Sequence, residues 1–97
     1  MIKASGVEWY RENDYPEILH LMTDAISMPG SFHAWEHGAK AFLNDLRNEG
    51  WIVHRIYIYP DKFLEWCRIG GVDPNSDARK SFTSEAVASL PRHTSMD

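Results

Sequence analysis

The chain has 97 residues, 43% of them hydrophobic and 25% charged, which is the composition of one folded domain and not of a disordered regulator. Its formal charge of −4 argues against a general nucleic-acid binder, which carries a basic stripe. Cys67 is the only cysteine, so an intramolecular disulfide and a cysteine-rich zinc site are both excluded.

No run approaches the ~18 apolar residues of a membrane span, and the start lacks the basic and apolar regions of a signal peptide. The expectation is a soluble, cytoplasmic protein with no membrane contact. Trp9, Trp35, Trp51 and Trp66 supply large anchors for a core that is small at this length.

In chain order, residues 1–6 read as a loose lead-in. Val7-Glu8-Trp9-Tyr10 reads as a short strand with Val7 and Trp9 on one face. Asp14 then caps a helix that opens with Tyr15-Pro16-Glu17. The helix is expected to run to about Ser27, with Tyr15, Ile18, Leu19, Met22 and Ile26 on one face, and to stop at Met28-Pro29-Gly30. Ser31 caps a second helix over Phe32 to Glu49, whose stripe is Phe32, Trp35, Ala39, Phe42, Leu43 and Leu46. The short connection predicts an antiparallel pair.

Between Gly50 and Pro60 lies the only long run dense in β-branched and aromatic residues, Trp51 to Tyr59. Alternation puts Ile52, His54, Ile56 and Ile58 on one face and Trp51, Val53, Arg55, Tyr57 and Tyr59 on the other. A short helix follows over Lys62 to Ile69, capped by Asp61 and stopped by Gly70-Gly71. Asp73-Pro74 opens a last helix to Leu90, with a thin stripe of Ala78, Phe82, Ala86 and Leu90. Residues 91–97 read as a tail.

These elements predict an α+β single domain over residues 1–97 in the order β-α-α-β-α-α, with helices packed on a two-stranded or dimer-completed sheet. The run at 51–59 is longer than the 7–10 segment, so part of its edge is expected to stay open for a second copy or another protein. His54 and Arg55 interrupt its apolar faces, and Tyr57 and Tyr59 can bury rings while keeping hydroxyls in water. These four are the candidate partner-binding residues.

Candidate chemistry is sparse. His33-Ala34-Trp35-Glu36-His37 matches H-x-x-E-H, the inverted zinc-hydrolase spacing, in which His33 and His37 meet one metal and Glu36 activates water. A third ligand and a cleft are missing from the pattern, so these residues read first as the solvated side of an amphipathic helix. His20 reads as a partly buried side chain, and Cys67 as a small core residue instead of a nucleophile. Arg47, Arg55, Arg68, Arg79 and Lys80 would serve a nucleic-acid-associated regulator, a third option, only if folding brings them onto one surface. No cofactor is expected. The leading expectation is a non-enzymatic interaction or regulatory protein, possible as a homodimer; the alternative is a small metal-dependent hydrolase.

Three stretches in this order carry a resemblance: Trp9 to Pro16, Tyr59 to Cys67 and Val72 to Arg79. Over residues 7–88 the chain resembles a family of small uncharacterised bacterial proteins with no assigned activity. The resemblance implies a bacterial setting and a stand-alone domain, and it carries over no catalytic residues.

Overall fold

The Trp9 carbonyl accepts a hydrogen bond of 2.9 Å from the Ile58 amide, just past the end of a parallel pair of strands. The structure, a computed structural model, describes residues 3–90, so the expected tail lies outside the described residues. Strand β1 spans Lys3–Trp9 and strand β2 spans Trp51–Tyr57. Their register runs without a break from Lys3 opposite Trp51 to Trp9 opposite Tyr57. Residues 3–6 are therefore strand and not lead-in, and β2 does not overhang its partner. Small residues in Ala4-Ser5-Gly6 conceal the strand in the sequence, because they lack the bulk and β-branching that mark one.

Parallel strands need a crossover. It is filled by helices α1, Tyr15–Leu21, and α2, Phe32–Asn48. After β2 come helices α3, Pro60–Gly70, and α4, Ser76–Ala88. The described residues thus form a mixed α+β arrangement of four α-helices and a two-stranded sheet in the expected order.

Several boundaries differ from expectation. Helix α1 stops at Leu21, Met22 turns to an extended backbone, and only a 3-10 turn at Ala25–Ser27 follows. Ile26 is consequently 98% exposed instead of sharing the apolar face. The connection to α2 runs from Met22 to Ser31, much longer than a helix-hairpin loop. Proline, tolerated in a first turn, starts α3 at Pro60, so Tyr59 and not Asp61 holds the cap position. Helix α4 begins two residues after Pro74, because the Asn75 side chain accepts the Ala78 amide at 3.0 Å. Ser31 caps α2 as expected, accepting from the Ala34 amide at 3.2 Å.

The two faces of the sheet carry different helices. Trp9 packs edge-on against Trp35 of α2, with ring centroids 5.0 Å apart. Tyr10, Tyr15 and Phe32 continue that aromatic cluster. On the opposite face, Gly6 lets α4 approach so closely that a Cβ there would collide with Val87 Cγ2 and lie 3.3 Å from the Thr83 carbonyl. Phe63 of α3, fully buried, meets Phe82 of α4 at 5.4 Å and 88°.

Candidate functional site

The strand pairing fixes which backbone groups remain open. In an extended strand, the N–H and C=O of one residue point to the same side, and successive residues alternate. The Ile58 amide points to β1, so the backbones of Ile52, His54 and Ile56 do too. Those of Val53, Arg55 and Tyr57 point away, along the outer edge of β2. By the same rule Trp9 and Val7 face β2, whereas Gly6 and Glu8 point out along the outer edge of β1. Among the described residues no third strand covers either edge.

The four candidate partner-binding residues divide across the sheet. Arg55 is exposed and lies over the Trp9 ring, 4.6 Å from its centroid. Tyr57 is 40% exposed and stacks on Tyr59 at 6.2 Å and 11°. Arg11 lies over the Tyr59 ring at 4.5 Å, with Lys62 at 5.9 Å. Arg55, Tyr57 and Tyr59 thus belong to one cation–aromatic surface, to which Arg11 was not assigned from the sequence. His54 stands apart, opposite Gly6 on the other face, and is half-buried.

His33 and His37 both lie on the exposed side of α2. His33 Nε2 is 3.5 Å from Glu12 Oε2, and Glu36 pairs with Lys40 at 3.5 Å. Among the described residues no three His, Cys, Asp or Glu side chains converge as a metal site. His20 is exposed and not partly buried. Cys67 is buried as a core residue, and burial pushes its thiol pKa up, with the Asp73 charge adding to the shift.

Arg47, Arg55, Arg68, Arg79 and Lys80 do not form one basic surface. Arg79, 6% exposed, is the most buried charged residue among the described residues, and Arg68 is paired with Glu65 on α3. Arg79 Nε donates to Glu8 at 2.7 Å, while Nη1 and Nη2 donate to the two oxygens of Asp24 at 2.9 and 3.1 Å. Nη1 also lies 3.3 Å from the Met22 sulfur. Burial works against the Arg79 charge, but the Asp24 hydrogen bonds and the Glu8 charge outweigh it and keep the guanidinium protonated. The same contacts hold Asp24 below its ordinary range. Tyr10 donates its hydroxyl to Glu8 at 2.5 Å, and burial followed by the Glu8 charge raises its pKa far above normal. The sequence carried one hint of this cluster: Arg79 directly follows Ala78 on the inner stripe of α4.

No family model, curated protein or solved structure matches the chain. No helix of the described residues is long and apolar enough to cross a membrane.

Proposed function

We propose that the protein is a small non-enzymatic interaction domain that binds a protein partner along the outer edge of β2. One observation carries the reading: the backbone groups of Val53, Arg55 and Tyr57 point away from β1, and among the described residues no strand lies beside them. An extended segment laid there gains main-chain hydrogen bonds, and the flanking side chains select it. Ile52 and Tyr57, 49% and 40% exposed, offer apolar contact. Arg55 offers a cation. A segment with a carboxylate opposite Arg55 and apolar residues on either side suits this edge.

Self-association through the same edge is the homodimer version. Two copies related by a two-fold axis pair antiparallel, and a register centred on Arg55 sets like charges directly opposite, which is destabilising. A homodimer therefore needs a shifted register, and a different protein is the better fit. A bacterial, cytoplasmic setting belongs to this reading and rests on composition and motif order.

The test places a photo-crosslinking amino acid at Tyr57 in producing cells and compares it with the same protein carrying Arg55→Pro. The Arg55 amide faces outward, so proline removes an edge donor while leaving the β1–β2 ladder intact. A defined adduct that disappears with Arg55→Pro supports the edge, and adduct mass separates self from partner. An adduct that survives Arg55→Pro, or no adduct together with a monomeric mass by light scattering at every concentration, overturns it.

A further inference from the structure

The outer edge of β1 is enclosed differently from that of β2. It lies at the floor of a groove of about 490 Å³, walled by α2 on one side and α4 on the other. Gly6, Glu8 and Tyr10 line the floor, Gly38 and Phe42 one wall, and Arg79 the other. The Ser27–Pro29 segment closes one end, tied down by the Tyr15 hydroxyl, which donates to the Pro29 carbonyl at 2.5 Å. The volume falls in the range of ~300–1,000 Å³ usual for ligand sites.

We propose that this groove binds one extended, uncharged, aliphatic peptide segment of a partner protein, which adds to β1 as a third strand between α2 and α4. Three features select that occupant. The outward N–H and C=O groups of Gly6 and Glu8 repeat every second residue along the floor, and an extended chain matches that repeat where a helix does not. The walls are chiefly apolar. The charge on the groove wall is already matched, since Glu8 and Asp24 hold Arg79, and the exposed Lys80 lies at the rim. A charged side chain laid on the floor, beside the paired Glu8 and Arg79, therefore loses water without finding an opposite charge of its own. Gly38 widens the entry, since a Cβ there meets nothing within 4 Å.

This site is separate from the β2 edge, and the two are separable by experiment. A displayed random-peptide library is selected on the immobilised full chain, then the selected peptides are measured on Gly38→Leu and Arg55→Pro. Leucine at position 38 fills the groove from a helix interior and is the better helix former, so folding is retained and thermal unfolding verifies it. The expected result is a consensus of uncharged, alternately aliphatic peptides. Their affinity falls at least about tenfold in Gly38→Leu and stays unchanged in Arg55→Pro. Amide exchange at Gly6 and Glu8 slows when such a peptide is added. A charged consensus, binding that survives Gly38→Leu, no slowing at Gly6 and Glu8, or no selected peptide at all overturns the proposal.

Discussion

The Arg79 guanidinium meets the Glu8 carboxylate at 2.7 Å, although the two residues stand 71 positions apart in the chain. With Asp24 as the second partner, one side chain of α4 ties together the last strand turn of β1, the irregular connection after α1 and α4 itself. Arg79→Met removes three charge-assisted hydrogen bonds and leaves two carboxylates facing each other. The expected cost is about 3 kcal/mol of unfolding free energy, read by urea denaturation. Arg79→Lys recovers only part of this, because one ammonium cannot reproduce the fork that reaches Glu8 and both oxygens of Asp24.

The same cluster sets how stability depends on pH. Arg79 hydrogen bonds hold the Asp24 pKa below its ordinary value of 3.8 in the folded state. A depressed folded pKa contributes stability that is complete above the unfolded value and is lost as pH falls through the folded one. At the alkaline end Tyr10 acts in the opposite sense: its raised folded pKa keeps the phenol neutral, so stability is lost once the unfolded phenol ionises above about pH 10. Denaturation midpoints measured across pH should fall at both ends. The acid limb should shrink in Asp24→Asn and the alkaline limb in Tyr10→Phe, each relative to that variant's own plateau.

Cys67 offers a check on the buried face of α3. The side chain is 2% exposed, and burial raises its thiol pKa, so native protein presents almost no reactive thiolate. Its modification by a disulfide reagent at pH 8 should be slow in native protein and rapid in urea. Phe63→Ala, which opens the adjoining helix-to-helix contact, should accelerate native modification. Native reaction as fast as that in urea would show the thiol to be accessible.

The legible parts of the fold are those that side-chain pattern encodes. The stripe of α2 announces itself because Trp35 and Leu43 recur at helical spacing, and both are buried. Asn75 shows where the pattern stops being enough. Asp73-Pro74 is a sound helix opening in isolation, but the Pro74 carbonyl instead accepts the Thr23 amide at 2.9 Å. That contact spans 51 residues, and no local signal specifies it. Strand β1 was half hidden for a related reason: Ala4 and Gly6 lack the bulk that marks a strand, and the small size of Gly6 serves the approach of α4. Of the candidate surface, the shared side of Arg55, Tyr57 and Tyr59 was legible from alternation along residues 51–59. Arg11, which completes their surface, and the Glu8–Arg79–Asp24 cluster depend on contacts between elements far apart in sequence.

Gly6 gives the sharpest test of how α4 seats on the sheet. Its backbone needs no left-handed conformation, so the requirement for glycine is one of space alone. An added methyl group collides with Val87 Cγ2 and comes within 3.3 Å of the Thr83 carbonyl. Val87 is β-branched and stiff at χ1, and the carbonyl belongs to the helix backbone, so neither yields without moving α4. Gly6→Ala should cost about 2 kcal/mol by overpacking. Pairing it with Val87→Ala removes the first collision and leaves the milder second one. The double variant should therefore be more stable than the sum of the two single changes predicts, a coupling that a double-mutant cycle in urea measures directly. Strict additivity would mean that Gly6 and Val87 do not meet. Because Gly6 also lies on the floor of the groove beside β1, a displaced α4 widens that groove as well, and Gly6→Ala should weaken any peptide selected there even at temperatures where the variant is fully folded.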